Sequence, residues 1–304
     1  ERKVFNMAGS LTRKQFDILE ILEKEKRALT QRELEEKTGF SLGTVNKLVK
    51  EMTEAGWINE NGITAQGLTQ LEPYRAKRII FVAAGFGERL VPITFNTPKP
   101  LVRVHGIRLL DRLIDAALKA GIEEIYIVRG YLAEQFDQLL YKYPMVKFLE
   151  NPIYNEANYI SSVLVARYLL SNAYVSESDL LVHNPEIIKK YNYCSNFLGF
   201  KVDRSDDWCF DVKNGIITEE KMGGTDCYQM VGISYWDEAD GKKLAGHVKE
   251  AFEQPGGKEL AWEFVPMRVF KKEYQVELRE CKASDIQEID TFRELKAVDK
   301  TYDI

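Results

Sequence analysis

Apolar residues in the first quarter of the chain recur at helical spacing. Across residues 12–24, Phe16, Leu19, Ile21 and Leu22 have apolar neighbours at helical spacing, which predicts an amphipathic helix. Thr30 caps a second, shorter helix, and Glu33 three residues on completes a capping box. Gly39 ends that helix and Ser41 opens a third, which carries Val45, Leu48, Val49 and Met52 and stops at Gly56. Trp57-Ile58 and Gly62-Ile63-Thr64 then flank Asn61-Gly62, the dipeptide of a tight hairpin. After a polar link, Arg75-Ala76-Lys77-Arg78, the pattern changes. Short β-rich apolar runs at 79–84, 125–128 and 146–149, and one opening at Tyr174-Val175, alternate with helical stretches at 109–120, 132–141 and 161–170. That alternation predicts an α/β domain with a mostly parallel sheet and crossover helices, whose ligands sit beyond the carboxyl ends of the strands. The chain therefore divides into a helical domain at 10–75 and an α/β domain at 78–304.

The run 79–84 leads directly into Gly85-Phe86-Gly87-Glu88-Arg89-Leu90, then through Pro92, Thr94 and Asn96 to Thr97-Pro98-Lys99-Pro100-Leu101. Glycines at 85 and 87 let the backbone turn sharply and bring N–H groups close to an anion. Arg89 adds a planar charge matched to phosphate oxygens, and Lys99 a mobile point charge. Together these describe a nucleoside-triphosphate site. The spacing is not that of the G-x-x-x-x-G-K-[ST] loop, nor of G-x-G-x-x-G, because position 90 is Leu.

Composition changes this picture little. A hydrophobic content of 45% and a charged content of 29% are ordinary for a globular protein, and a net charge of −5 argues against a polyanion-coating role. No stretch of about 18 apolar residues predicts a membrane span. The four cysteines, at 194, 209, 227 and 281, form no CxxC pair and read as core thiols of a cytoplasmic protein. Three scattered histidines, 105, 183 and 247, give no support to a histidine metal site or a Ser-His-Asp triad.

The glycine-loop run resembles the signature of the sugar-phosphate nucleotidyltransferases, and within them the bacterial CTP:phosphocholine cytidylyltransferases, over about residues 78–298. The resemblance implies a Rossmann-like nucleotidyltransferase fold with a mostly parallel mixed sheet. It also implies CTP as nucleotide, Mg²⁺ as cofactor, and Arg89 and Lys99 as catalytic cations. Glu177-Ser178-Asp179 falls where the family carries Asp-x-Asp, with Glu in place of the first Asp, and Ile286-Gln287-Glu288-Ile289-Asp290-Thr291 resembles its E-I-D-[ST] segment. Asp179 and Asp290 are thereby implied as metal ligands, where the residues alone would read first as ordinary loop or cap aspartates. Gly130-Tyr131-Leu132 and Asn158-Tyr159-x-Ser161-Ser162 match further segments. The nucleotide would then meet Ala83, Ala84, Gly85, Gly87, Gly130, Asn158 and Ser161.

For the acceptor, Trp208, Trp236 and Trp262, with Glu263 beside the last, offer aromatic faces near acids, which suits a quaternary ammonium. The same tryptophans equally suit core packing. Phosphocholine is the first expectation. Phosphoethanolamine or 2-aminoethylphosphonate is the near alternative, and a transcriptional regulator with a nucleotidyltransferase-derived sensor is the distant one. The helical domain resembles a MarR-type winged helix-turn-helix with its recognition helix at 41–55. Residues 1–75 carry twelve Lys and Arg against twelve Asp and Glu, so DNA, docking and homodimer roles all stay open. No kinase motif precedes Ile304, so the chain is expected either to be complete or to lack a C-terminal kinase-like domain.

Overall fold

The computed structural model describes residues 10–303, so Ile304, at the end of the expected second domain, lies outside the described residues. The chain divides into two compact units between Arg75 and Ala76.

In the N-terminal unit, helices α1 (Arg13–Glu25), α2 (Gln31–Thr38) and α3 (Leu42–Glu54) precede a hairpin of β1 (Ile58–Asn59) and β2 (Gly62–Ile63). Local chemistry sets the boundaries. Thr12 with Gln15, and Thr30 with Glu33, form reciprocal capping boxes, and Ser41 caps α3. Gly39 closes α2 in the left-handed conformation (φ 70°), where a side chain would be strained. Phe16, Ile18, Leu19 and Leu22 of α1, Leu34 of α2, and Val45, Leu48 and Met52 of α3 are all buried, and α1 packs against both other helices. Ile18 takes the deep position, and Ile21 is only half-buried. A fourth helix, α4 (Ala65–Leu71), was not anticipated. Thr64 caps it and also donates its hydroxyl to the carbonyls of Gly56 and Trp57, tying the helix to the hairpin.

The C-terminal unit contains β3 (Arg78–Val82), a small hairpin of β4 (Arg103–Val104) and β5 (Ile107–Arg108), α5 (Leu109–Lys119), β6 (Glu124–Arg129), β7 (Lys147–Glu150) and α6 (Ile160–Ala166). It continues with β8 (Ala173–Glu177), β9 (Leu180–Val182), β10 (Asn196–Lys213), β11 (Ile216–Trp236), α7 (Glu238–Glu253), β12 (Glu277–Glu280), β13 (Ile286–Glu288) and α8 (Phe292–Val298). Seven strands form one mixed sheet in the order β10-β12-β11-β8-β3-β6-β7. The β8-β3-β6-β7 block is parallel, and β11 joins it antiparallel to β8. Side chains alternate across β3. Ile79 and Phe81 face one core, with Leu113 and Ile114 of α5, while Ile80 faces the other, with Val163 of α6 and Leu244 of α7.

Two expected helices are shorter or tighter than anticipated. Residues 133–141 form a 3₁₀ helix, and the 161–170 stretch is α6 followed by a 3₁₀ turn. The long ribbon of β10 and β11 was not anticipated. Asn214 and Gly215, both at positive φ, make its two-residue turn, and several register shifts interrupt it near Trp208.

Candidate active site

The parallel strands deliver their carboxyl ends to one cleft of about 550 Å³. At its floor, Ala83 donates its N–H to Val128 of the neighbouring strand, and the chain then leaves the sheet as the glycine loop. Gly87 adopts φ 71°, and a Cβ there would stand 3.0 Å from that of Lys99, so glycine is needed for both reasons. A Cβ on Gly85 would meet nothing within 4 Å; that position opens onto space. Tyr131 clasps the loop from the β6 side. Its hydroxyl lies 2.8 Å from the Thr94 carbonyl, and Gln135 donates to the Asn96 carbonyl at 2.7 Å.

Lys99 is 8% exposed at the centre of a charged cluster. Its Nζ donates to Asp179 Oδ2 at 2.6 Å and to Asp290 Oδ1 at 2.8 Å, and Arg89 Nη2 reaches that same Asp290 oxygen at 2.7 Å. Asp179 and Asp290 lie far apart in sequence but meet because β13 pairs antiparallel with β9 and Ile289 donates its N–H to the Asp179 carbonyl. Asp290 precedes the capping box of α8, and its N–H goes to Glu294. Burial pushes the Lys99 ammonium toward neutrality, but the carboxylates of Asp179 and Asp290 outweigh it and hold the pKa above the usual lysine value. Burial likewise raises Asp290, while the hydrogen bond and charge of Lys99 pull it below the ordinary aspartate range.

Two further acids complete the cluster. Glu177 and Glu288, together with Asp179, each place an oxygen within 4.8 Å of the others. Burial, then the charge of Asp179, pushes Glu288 up to about 9 and Glu177 well above a normal glutamate. Asp179 Oδ1 is buried with no hydrogen-bond partner. An orphaned oxygen within a set of hard carboxylates fits a divalent cation such as Mg²⁺.

Of the residues singled out from sequence, Ala83, Ala84, Gly85, Gly87, Arg89, Lys99, Asn158, Ser161, Asp179, Asp290 and Trp208 line this one cleft. Four do not, which corrects the expected wall. Gly130 lies behind it, because a Cβ there would stand 2.6 Å from the Tyr154 ring, and it is Tyr154 that faces the cleft. Trp236 is fully buried in the core and gives its indole N–H to Ser234. Trp262, 2% exposed, stacks its edge against Trp236 in that same core. Glu263 is buried too, and accepts the Tyr159 hydroxyl at 2.6 Å. Its other oxygen has no partner, and burial raises its pKa to about 8. Ser161 spends its hydroxyl on the Asn158 carbonyl and on Asn151, so it braces the Asn158 turn.

Sequence reading missed Asn151, Met222, Met230, Gly232 and Glu288 on this wall. Glu288 carried a signal. In extended chain, residues two apart share a face, so Glu288 accompanies Asp290 just as Glu177 accompanies Asp179. Gly232 matters because it stands across the strand pair from Glu177, and a Cβ there would collide with the Glu177 carboxylate.

Comparison with known proteins agrees with this geometry. Residues 10–69 match the MarR family and residues 77–210 the nucleotidyl transferase family. A 2-aminoethylphosphonate cytidylyltransferase of Lancefieldella rimae is 37% identical over 227 residues, 73% of this chain and 92% of that relative. A choline-phosphate cytidylyltransferase of Streptococcus pneumoniae is 29% identical over 73% of this chain and 97% of the relative. The solved structure of CTP:phosphocholine cytidylyltransferase from Streptococcus pneumoniae superposes with a TM-score of 0.69 at 28% identity, covering 75% of this chain and 99% of that one. No helix among the described residues is long and apolar enough to cross a membrane. The chain joins a MarR-family winged helix to an enzymatic domain, and that domain belongs to the nucleotidyl transferase family as a cytidylyltransferase.

Proposed function

We propose that the enzyme transfers the cytidylyl group of CTP, with Mg²⁺, to a small phosphonate or phosphate acceptor that ends in a primary ammonium, 2-aminoethylphosphonate first among them. An acceptor oxygen attacks the α-phosphorus in line, the bond from that phosphorus to the bridging oxygen breaks, and pyrophosphate leaves. Protein groups contribute alignment and charge. Backbone N–H groups around Gly85 and Gly87 approach the triphosphate, Arg89 neutralises its exposed oxygens, and Lys99 stabilises charge that builds up in the transition state. Asp179 and Asp290, with Glu177 and Glu288 at hand, would hold the cation, which when bound offsets phosphate charge and fixes phosphate oxygens.

One observation carries the choice of acceptor. With Trp236 and Trp262 in the core, Trp208 is the only one of the three tryptophans on the cleft, and the carboxylate of Asp207 beside it lines the same cleft. A primary ammonium needs hydrogen-bond acceptors, which an acid supplies and a ring box does not. The name of the Lancefieldella rimae relative points the same way. Phosphocholine is the second reading, favoured by Trp208 and the streptococcal relatives. Pyrophosphate release from CTP with 2-aminoethylphosphonate, phosphoethanolamine and phosphocholine side by side tests the choice. We expect a higher kcat/KM for a primary amine, and a clear preference for phosphocholine would overturn that choice while leaving cytidylyl transfer intact.

For the N-terminal unit, the MarR match supports DNA as a partner. Exposed Lys47 and Lys50 on α3 would face phosphates, although Glu51 and Glu54 stand 3.9 Å from them. Retention of labelled duplex at low salt and loss at high salt would support this role.

A further inference from the structure

Trp208 sits on the ribbon opposite Met222, beside a register shift, and is half-buried. Its support comes from another part of the chain. Phe264 meets the indole edge-on with ring centroids 5.2 Å apart. Arg268, from the π-helical turn Val265–Val269, lays its guanidinium 3.8 Å from the Phe264 centroid and 4.9 Å from that of Trp208. π-Helical turns are rare and recur at functional sites. Arg268 is anchored in turn. Its Nε donates to Glu220 Oε2 at 3.0 Å and its Nη2 to the Glu220 carbonyl at 3.2 Å, and the Glu220 side chain is 1% exposed. Glu220 is buried on β11, and no other ion pair to it is present among the described residues.

We propose that Arg268, locked to Glu220, is a positioning residue for the acceptor: it fixes the Trp208 ring on the cleft wall and so sets affinity for the acceptor's cationic head without touching the nucleotide. This rests on the proposed acceptor site, in which Trp208 forms one wall of the cleft beside Asp207, whichever ammonium head the acceptor carries. The guanidinium acts on Trp208 in two opposed ways. Its stacking orders the ring, while its charge opposes a second cation on that ring. Glu220 offsets the charge and leaves the ordering. Lysine cannot substitute, because an ammonium has neither the plane that stacks nor the fork that spans the Glu220 carboxylate and carbonyl.

The experiment is steady-state kinetics with CTP and acceptor varied separately, for wild type, Arg268→Met, Arg268→Lys, Trp208→Ala and the Trp208→Ala/Arg268→Met double variant, with thermal unfolding of each. Having two Arg268 variants guards against one that fails to fold. Both should raise the acceptor KM by about tenfold and leave kcat and the CTP KM within about twofold. In the Trp208→Ala background the Arg268 change should add no more than about twofold, since its effect passes through that ring. An unchanged acceptor KM in both variants, a parallel rise in the CTP KM, or a full tenfold effect without Trp208 would each overturn the proposal. A wild-type enzyme that uses CTP with none of the acceptors would instead overturn the acceptor reading beneath it.

Discussion

The two units bury different things. Among the described residues, every buried polar or charged side chain lies between Thr94 and Asp299, in the C-terminal unit, and the N-terminal unit buries apolar side chains alone. The ions of the winged helix pair at its surface, as Arg27 with Glu33 and Lys37 with Glu25 do, where each pair contributes little to stability. In the catalytic unit Lys99, Glu220 and Glu263 are taken out of water. Burying charge costs free energy unless a partner compensates, and here Asp179 and Asp290 compensate Lys99, Arg268 compensates Glu220, and the Tyr159 hydroxyl bonds Glu263. Chemistry in the second unit is therefore interior, and any partner of the first must be read from its surface.

The sharpest way to break this contrast is to remove a buried charge from the cleft. Lys99→Ala should lower turnover by at least about two orders of magnitude, because its ammonium acts most strongly on charge that appears in the transition state. Asp290→Asn keeps the shape and should lower turnover comparably while weakening Mg²⁺ affinity. Near-normal pyrophosphate release by either folded variant would remove the cluster from the mechanism. In the winged helix the equivalent break is apolar. Leu19→Ala should cost that unit about 2–5 kcal/mol, read from denaturant unfolding, since Leu19 is fully buried.

A smaller effect separates the units by pH. The folded-state pKa of Glu263 is raised to about 8 by burial, so the folded protein holds its proton where the unfolded chain has lost it. Stability from this group is full below the ordinary glutamate pKa and is lost as pH rises toward about 8. Glu177 and Glu220, both raised chiefly by burial, act in the same direction. Glu263→Gln should therefore flatten part of the decline in unfolding temperature between about pH 5 and pH 8. A wild-type curve rising over that range, or an unchanged slope in the variant, would contradict the assignment.

Local pattern made the winged helix legible down to its caps, because Thr12, Thr30, Ser41 and Gly39 act within a few residues of themselves. The glycine loop, Lys99, Asp179 and Asp290 were legible as motifs, though not the lysine bridging the two aspartates, which depends on β9 meeting β13. Trp236 and Trp262 were ambiguous for a physical reason. A tryptophan beside an acid looks alike in a core and on a wall, and only the pairing of β11 with β8 turns Trp236 inward. The long ribbon was signalled by Asn214-Gly215, but its many charged residues hid the strands on either side.

The most direct test of the account follows phosphorus through the reaction. Phosphorus NMR of the wild-type enzyme with CTP, Mg²⁺ and 2-aminoethylphosphonate should show pyrophosphate growing in step with a coupled phosphonate–phosphate pair of resonances. Lys99→Ala should show neither. Release of inorganic phosphate with CDP, or CTP left intact beside an unchanged phosphonate signal, would contradict cytidylyl transfer to that acceptor.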